Sequence, residues 1–325
     1  MRRASDLSDA ASDAASDAAS DAASDAASDA AGRGRRPLRR ALRAAAVGLL
    51  GLASLAASVA GAASPSAPAA PPCKPVYLTF DTGHMGVAPL VAEVLKRHEV
   101  KVTFFLADEA TLTGGSSLDE QWAPWWRARA AEGHVVGSHT HDHVYWRADR
   151  PATGAHGGAT AGFRMRATAG PFAGQDRDFS AAGYCAELDR SAQRWQQMTG
   201  QVMPRLFRAP GGKTSPALLQ AARQCGWVHV PWSAAGFLGD ELPSETYPNP
   251  RLLARALRDI RSGDILLAHL GIWSRHDPWA PAVLEPLITG LQGRGFCFRT
   301  LADHPDYRLA LAPAGAGATA TAPPP

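Results

Sequence analysis

Histidines in this chain are concentrated directly after short apolar segments, where they can take part in metal binding or proton transfer. Five of the eleven histidines have such positions: His84, His139, His141, His143 and His269. His139 and His143 are four residues apart, and they would point the same way if the chain forms a helix there. Two imidazoles at this spacing suit one divalent metal ion, so the pattern predicts a metal site.

Two charged residues also follow apolar segments and could complete a catalytic group. Asp81 lies too far ahead of the next helical segment, which starts near Val87, to be an effective N-cap. Arg208 precedes a Pro-Gly-Gly turn, and an arginine that emerges from a barrel strand usually binds a carboxylate. Asp81 is the candidate, so we expect Arg208 to hold it.

The apolar segments that carry these residues alternate with helical patterns between Cys73 and Ala312. Seven of them have the composition of strands: Val76–Phe80, Val102–Leu106, Val135–Ser138, Arg205–Arg208, Val228–Trp232, Ile265–Ala268 and Phe296–Thr300. This alternation predicts an α/β fold with parallel βαβ units, and seven continuously apolar strands favour a (β/α) barrel. Such barrels carry their chemistry at the C-terminal ends of the strands. We expect the Gly- and Ala-rich segment Trp146–Arg177 to be an irregular loop.

In this order, the residues form four short motifs that resemble those of the polysaccharide deacetylase family with a NodB-type domain. The motifs are Thr79-Phe80-Asp81-Thr82-Gly83, His139-Thr140-His141-Asp142-His143, Arg208-Ala209-Pro210-Gly211-Gly212 and Ile265-Leu266-Leu267-Ala268-His269. The resemblance covers roughly Cys73 to Asp306. It implies a distorted (β/α) barrel, in agreement with the seven parallel strands expected from the pattern.

The resemblance also implies a role for each matching residue in a metal-dependent reaction. Asp81 would be the catalytic base, Arg208 would orient it, and His269 would protonate the leaving amine. His139 and His143 would bind a divalent metal ion, for which we expect zinc. An acetylated glycan would be the substrate, with contacts expected from four residues: Pro210, Gly211, Trp232 and Trp273.

Two positions depart from the motifs of the family. Thr82 stands where the family has a second aspartate, its third metal ligand, and a neutral hydroxyl is a much poorer ligand than a carboxylate. We expect Thr82 or His84 to complete the metal site. The segment Ser233–Ala235 lacks the acidic residue that would orient His269, and the sequence alone leaves open whether Asp240 reaches it.

The sequence therefore predicts a hydrolase that removes N-acetyl groups from an extracytoplasmic polysaccharide or peptidoglycan. A second hypothesis is a catalytically weakened glycan-binding protein on the same fold, which only the threonine at position 82 supports. A third hypothesis stays within the hydrolases: an O-acetyl esterase, or an enzyme that deacylates a small amide. The sequence leaves the oligomeric state and the choice of glycan open.

The N-terminal segment is predicted to be a leader. Residues 1–32 carry a Ser-Asp-Ala-Ala repeat that cannot form a core. Residues 33–62 combine six arginines, an uncharged apolar run and an Ala60-Gly61-Ala62 site, which is typical of a signal peptide, with a membrane anchor as the alternative. We expect an exported protein (periplasmic, secreted or envelope-anchored). A linker at 63–72, the deacetylase domain at 73–312 and a disordered tail at 313–325 would follow.

Net charge and cysteine content exclude two other classes. The chain of 325 residues has a formal charge of +3, and the part after residue 62 holds 25 basic and 23 acidic residues. With no basic stripe, we expect no nucleic-acid partner. The four cysteines include no CxxC pair of the kind found in zinc ribbons. Because an exported protein meets oxidising conditions, we expect disulfides between Cys73 and Cys297 and between Cys185 and Cys225.

Overall fold

The computed structural model describes residues 73–151 and 160–308. The predicted repeat at 1–32, the signal peptide or anchor at 33–62, the linker at 63–72 and the tail at 313–325 lie outside these residues. Within the described ranges, no helix combines the length and the apolar character needed to cross a membrane.

The described chain contains ten strands and six α-helices. The strands are β1 (Lys74–Asp81), β2 (Thr103–Leu106), β3 (Val135–Ser138), β4 (Val144–Pro151), β5 (Thr160–Ala167), β6 (Asp176–Phe179), β7 (Leu206–Phe207), β8 (Val228–His229), β9 (Ile265–His269) and β10 (Phe296–Phe298). The helices are α1 (Ala88–Arg97), α2 (Ala123–Ala131), α3 (Ala181–Thr199), α4 (Pro216–Gln224), α5 (Asn249–Asp259) and α6 (Leu284–Gln292). Short 3-10 helices lie at Glu120–Trp122, Gly170–Phe172, Pro210–Gly212, Ala234–Gly236 and Leu301–Asp303.

Seven of the strands are parallel and form one curled sheet, which confirms the predicted distorted (β/α) barrel. The order across the sheet is β10, β1, β2, β3, β7 and β8, and β9 also pairs with β1. Apolar side chains of the strands and of the surrounding helices pack into one large buried cluster, and other strand residues, among them Tyr77 and Phe105, form a second, smaller one. In the β1–β9 register Asp81 is the partner of His269. The fold therefore sets these two residues side by side at the C-terminal end of the sheet.

Helix α3 begins and ends at residues that suit those positions. The Ser180 hydroxyl accepts a hydrogen bond from the Gly183 N–H at the N-terminus, and Gly200, with a φ of 75°, ends the helix. The buried face of the helix carries large side chains of the core, among them Tyr184, Leu188 and Trp195. Glu187 lies on the same buried face, where its carboxylate can bind backbone groups of the neighbouring loop.

The segment expected to be an irregular loop, Trp146–Arg177, instead forms most of a second sheet, and that prediction was wrong. Strands β4, β5 and β6 are antiparallel and adjacent in that order. Along β5 the side chains of Phe163 and Met165 are buried in the core, whereas Arg164 and Arg166 face outward and pair with acidic residues of β6. This alternation is the period-2 pattern of a half-buried strand.

Two disulfides join distant parts of the barrel, as predicted. Cys73 precedes β1 and is bonded to Cys297 in β10, with Cα atoms 5.7 Å apart. Cys185 in α3 is bonded to Cys225 at the end of α4, with Cα atoms 6.3 Å apart. The first of these bonds links the beginning of the sheet to its last strand. The second ties together the two helices on either side of β7 in the chain.

Candidate active site

The end of β1 brings a buried carboxylate and a buried guanidinium together. Arg208 follows β7, and its Nη1 donates hydrogen bonds to Asp81 Oδ1 and to Thr79 Oγ1, both at 2.8 Å. Its Nε donates to the Val230 carbonyl oxygen at 3.2 Å. Arg208 is fully buried and Asp81 is 2% exposed. Because both charges are removed from water, each depends on the other for compensation.

The Asp81 carboxylate stays ionised in this environment. Burial would raise its pKa, but the Arg208 guanidinium and then His139 and His269 together hold the pKa of Asp81 below its usual value. The second oxygen, Oδ2, lies 3.3 Å from His139 Nε2. An ionised carboxylate held in one orientation can accept a proton from a water molecule or a substrate.

His139 and His143 come together although the chain does not form the helix on which their common orientation was expected to depend. Thr140 and His143 have φ values of 57° and 47°, the left-handed conformation, which no α-helix contains. The chain turns there and enters β4 at Val144. The ring centroids of the two histidines are nevertheless 4.8 Å apart. A tight turn, in place of a helix, therefore brings the two imidazole rings close together.

Helix α3 holds this turn in its left-handed conformation. Glu187 Oε2 accepts a hydrogen bond from the Asp142 N–H at 2.9 Å, and the Glu187 carbonyl oxygen accepts one from the His141 N–H at 3.1 Å. Arg190 Nη1 contacts both the Asp142 and the Glu187 carboxylates, at 3.0 and 2.7 Å. Backbone conformations of this kind persist only where several contacts support them.

Hydrogen bonds fix the proton position on both of these imidazoles. His139 Nδ1 lies 2.9 Å from the Arg208 carbonyl oxygen, which can only accept, so Nδ1 carries the proton. His143 Nδ1 lies 2.5 Å from Thr168 Oγ1, whose own hydrogen is donated to the His143 carbonyl oxygen. In the neutral form of either ring, Nε2 is therefore the nitrogen that carries the lone pair. Burial lowers the pKa of His143 to about 4, which keeps that ring neutral.

Glu109, which the sequence analysis did not select, lies beside Thr82. Its Oε2 accepts hydrogen bonds from the Thr82 hydroxyl at 2.5 Å and from the Gly83 N–H at 2.6 Å. Burial opposes ionisation, yet His143, the Thr82 hydroxyl and His139 hold the pKa of Glu109 below its usual value. Its position three residues after the end of β2 was the signal in the sequence, because the chemistry of such barrels lies beyond the strand ends.

His84 lies on the other side of the β1 end. Its Nδ1 accepts a hydrogen bond from the Gly86 N–H at 3.0 Å, and its ring packs edge-on against Trp273, with centroids 5.1 Å apart. Burial lowers the pKa of His84. Trp273 is 47% exposed, so a large part of this apolar ring is open to a ligand. His84 also lines a small cavity together with Asp240 and His269.

His269 has a carboxylate partner, although the Ser233–Ala235 segment does not provide one. Asp240 accepts a hydrogen bond from the His269 N–H at 2.6 Å, and its carboxylate oxygens lie 3.1 and 3.2 Å from His269 Nδ1. Burial favours the neutral ring, but Asp240, followed by Glu241 and Asp81, raises the pKa of His269 to about 10. The ring is therefore protonated at neutral pH. Burial also raises the pKa of Glu241, to about 7.

The turn after Arg208 forms part of the same surface. Pro210 is buried, and Gly211 has a φ of 60°. A Cβ on Gly211 would lie 2.6 Å from the Tyr145 ring, so only glycine lets the tyrosine approach this closely. The half-buried Trp232 lies next to this turn, with its ring centroid 5.7 Å from the Arg208 guanidinium carbon. These residues border the end of the barrel where Asp81 and His269 lie.

The donor atoms at this end of the barrel are of types that suit a divalent metal ion. Two imidazoles whose Nδ1 atoms are engaged in hydrogen bonds, together with nearby carboxylates, are the ligand types that zinc takes in catalytic sites. As they stand, no three His, Cys, Asp or Glu side chains in the ranges 73–151 and 160–308 are grouped around one point. The types of the donors, although not their present grouping, fit a metal ion, and His139 and His143 are the ligands whose rings hydrogen bonds already orient.

The C-terminal end of this parallel (β/α) barrel carries an ionised carboxylate, a protonated histidine and two oriented imidazoles. Such a set of groups is typical of hydrolases. The polysaccharide deacetylase family model matches residues 69–230. A chitooligosaccharide deacetylase of Azorhizobium caulinodans is 27% identical over 238 residues, 70% of this chain and 92% of that protein. The peptidoglycan-N-acetylmuramic acid deacetylase PdaA of Bacillus subtilis is 26% identical, covering 71% of each chain.

Among solved structures, the family 4 acetyl xylan esterase of Clostridium thermocellum in complex with a cobalt ion has the same fold. The TM-score is 0.51 at 22% identity, and the match covers 73% of this chain and 91% of that one. The chain belongs to the polysaccharide deacetylase family. This membership confirms the resemblance noted in the motifs and the prediction of a deacetylase-type hydrolase.

Proposed function

We propose that this protein is a metal-dependent deacetylase that removes N-acetyl groups from an extracytoplasmic polysaccharide or from peptidoglycan. The observation that carries the proposal is the pair Asp81 and His269. They are partners in neighbouring strands, yet one is held ionised and the other protonated. Hydrolysis of an amide needs both a base and an acid at the same pH. The similarity to deacetylases of chitooligosaccharides and of peptidoglycan supports this choice of substrate class.

His139 and His143 are the residues that would hold the metal ion, through their Nε2 atoms. A divalent ion, for which zinc is our expectation, would supply polarisation of the acetyl carbonyl and a lower pKa for a water molecule. The hydrogen bonds at Nδ1 of both rings serve this purpose, because they fix the rings in the tautomer that ligates. Thr82 or His84 was the expected third ligand.

Asp81 would act as the general base. The Arg208 guanidinium holds Asp81 Oδ1 at 2.8 Å and keeps the carboxylate ionised, while Oδ2 lies 3.3 Å from Nε2 of His139, one of the two histidines of the proposed metal site. In this arrangement Oδ2 takes the proton from the attacking water. Arg208 does not touch the substrate in this scheme, so it is a positioning residue.

His269 would act as the general acid toward the leaving nitrogen. Asp240 binds its Nδ1, so Nε2 is the atom that carries a proton toward the substrate. A departing amine is a poor leaving group until it is protonated, which makes this step more important for an amide than for an ester. Asp240 thereby takes the orienting role that Ser233–Ala235 cannot fill.

The glycan would lie across the turn at Pro210 and Gly211, between the rings of Trp232 and Trp273. The exposed face of Trp273 and the half-buried face of Trp232 are suited to stacking on sugar rings. An exported location agrees with the two disulfides, which form in oxidising compartments. Export would bring the protein to periplasmic, secreted or envelope-bound glycans.

Acetate release from a panel of glycans tests the proposal. Purified protein is incubated with N-acetylated chitooligosaccharides, peptidoglycan and O-acetylated xylan, before and after exhaustive chelation and again after zinc is added back. We expect acetate from an N-acetylated substrate, loss of release on chelation and recovery with zinc. Full activity after chelation would contradict the metal dependence. Binding of glycans without acetate release under any of these conditions would favour the glycan-binding hypothesis, and release from xylan alone would favour the esterase.

A further inference from the structure

Position 82 carries a threonine, but a carboxylate nevertheless lies next to it. We propose that Glu109, from the loop after β2, is the third protein ligand of the metal ion, with Thr82 and Gly83 holding it in place. This inference rests on the proposed function, because it assumes that His139 and His143 bind the ion. It assigns the missing acidic ligand to a residue 27 positions further along the chain than Thr82.

The hydrogen bonds of Glu109 leave one carboxylate oxygen available. The Thr82 hydroxyl and the Gly83 N–H both donate to Oε2, at 2.5 and 2.6 Å. Within the described residues, every hydrogen bond to this carboxylate falls on Oε2, which leaves Oε1 free to ligate. Two donors on one oxygen also stabilise the ionised form, the form that binds a hard or borderline cation.

The backbone around Glu109 is tied to the metal-site loops on both sides. The Asp108 N–H donates to the His141 carbonyl oxygen at 2.7 Å, so residues 107–109 lie against the turn that carries the two histidines. The Glu109 N–H donates to Ser117 Oγ at 3.0 Å, which fixes the loop from its far end. The Ala107 N–H donates to Thr82 Oγ1 at 3.1 Å. A carboxylate on this segment is therefore positioned by the same contacts that shape the proposed site.

The Glu109 side chain is half-buried, and no three His, Cys, Asp or Glu side chains of the described residues are grouped around one point, so ligation with His139 and His143 requires Glu109 to move toward them. A glutamate has the side-chain length for that movement, and its anchor at Oε2 limits the direction.

The two ligands expected from the sequence are each engaged elsewhere. The single hydrogen of the Thr82 hydroxyl is donated to Glu109, and its oxygen already accepts the Ala107 N–H. The His84 Nδ1 lone pair accepts the Gly86 N–H, and the ring packs against Trp273. Thr82 therefore acts as the support of a ligand in this arrangement, and His84 belongs to the surface near Trp273.

Zinc binding to metal-free protein tests the inference without any assay of activity. Zinc is titrated in competition with a chromophoric chelator, and cobalt is used as a spectroscopic probe of the ligand set. For Glu109→Gln we expect zinc affinity at least ~100-fold weaker, because loss of a direct ligand should cost no less than loss of an outer-shell partner, and altered cobalt absorption. Glu120→Gln is the matched control, because this carboxylate is 79% exposed and pairs with Arg194. It should bind both metals like the wild type.

A swap of the carboxylate between the two positions provides the second arm. In Thr82→Asp with Glu109→Gln, an aspartate on β1 replaces the glutamate from the loop, and we expect recovery of most of the zinc affinity. If Glu109→Gln does not fold, as judged by circular dichroism, Glu109→Asp takes its place. That variant keeps the charge but shortens the side chain by one methylene, so weaker zinc binding is again expected.

The outcomes separate this inference from the proposed function. Wild-type protein that binds zinc, together with a Glu109→Gln variant that binds it equally well and gives the same cobalt spectrum, overturns the role of Glu109 alone. Wild-type protein that binds no zinc or cobalt overturns both. His139→Ala should abolish metal binding whether or not Glu109 is a ligand, so zinc binding that survives this change would count against the proposed function.

Discussion

The two sides of the proposed site, one around Asp81 and one around His269, differ in the charge that surrounds them. Both residues end neighbouring parallel strands, and burial would favour the neutral form of each. Asp81 has a guanidinium next to it and keeps a lowered pKa, whereas His269 has a carboxylate next to it and a pKa of about 10. The comparison shows that the sign of the charge on the buried partner decides the protonation state of each residue, although burial favours the neutral form of both.

The largest effect is expected from removal of the charge on the Asp81 side. Asp81→Asn keeps the size of the side chain and an oxygen for Arg208, but it removes the base. Turnover on an N-acetylated glycan should fall by at least ~100-fold, the lower end for a positioned acid–base group. Steady-state acetate release measures this. Asp178→Asn, at a carboxylate 60% exposed on β6, is the matched control and should keep wild-type turnover. Near wild-type turnover in Asp81→Asn would contradict the base assignment.

The His269 side should show an effect that depends on the leaving group. His269→Ala should lose about 100-fold in turnover on an N-acetyl amide, because the departing nitrogen must be protonated. An activated aryl acetate has a leaving group that needs no proton, so its hydrolysis should fall much less. The ratio of the two rates, measured with the same protein preparation, is the readout. Equal losses on both substrates would remove His269 from the role of the acid.

How much of this site the sequence could predict depends on how far apart in the sequence the contacting residues are. Asp81 and His269 end their strands and Arg208 directly follows one, and parallel strands end at one edge of a sheet, so local pattern was enough to select them. The Asp81–Arg208 contact also follows from charge and strand position. The seven parallel strands were predictable for the same reason, since each is a short apolar segment between helical patterns.

Other features depend on contacts between segments that are distant in the sequence. Asp240 reaches His269 across 29 residues, and Glu109 reaches Thr82 across 27, and neither approach leaves a periodic signal. The expectation that His139 and His143 point the same way was tied to a helix, because spacing cannot reveal the left-handed φ values of the turn, which Glu187 in α3 supports. The antiparallel sheet, by contrast, did have a local signal, the alternation along β5, that the glycine and alanine content obscured.

A smaller and more specific effect is expected from Asp240→Asn. Without the carboxylate, burial should lower the pKa of His269 from about 10 toward or below its ordinary value. The acid must be protonated to act, so the alkaline limb of kcat/KM should move to lower pH by about one pH unit or more. A pH–rate profile on an N-acetylated substrate measures the shift, and an unchanged limb would contradict the role of Asp240.

The same pKa shift has a consequence for stability. A histidine with a folded pKa above its unfolded value stabilises the fold fully below about pH 6.5, and this contribution is lost as the pH rises toward 10. Wild-type protein should therefore lose part of its unfolding free energy between those pH values. Asp240→Asn should lose less over the same range, as measured by denaturant unfolding at several pH values. An equal loss in the two proteins would show that the Asp240 carboxylate does not set the pKa of His269.

The smallest effect is expected from Thr168→Val, which separates the metal-binding side from the acid side. The Thr168 hydroxyl is the acceptor for His143 Nδ1, and valine has nearly the same shape but cannot accept this hydrogen bond. Zinc affinity should fall about tenfold, the lower end for loss of such a partner, because His143 is no longer fixed in its ligating tautomer. Thr289→Val, the same change at an exposed position of α6, should leave zinc affinity unaltered.

Thr168→Val should leave the alkaline limb of the pH–rate profile unchanged, since His269 and Asp240 share no hydrogen bond with Thr168. Asp240→Asn should do the reverse, with a shifted limb and unaltered zinc affinity. The free-energy effects of the two changes should then add in the double variant, as they do for sites without a shared partner. A shifted limb in Thr168→Val, or a clear departure from additivity, would mean that the two sides are coupled through the metal site. The charged neighbour alone, Arg208 for Asp81 and Asp240 for His269, would then no longer explain the protonation state of these two residues.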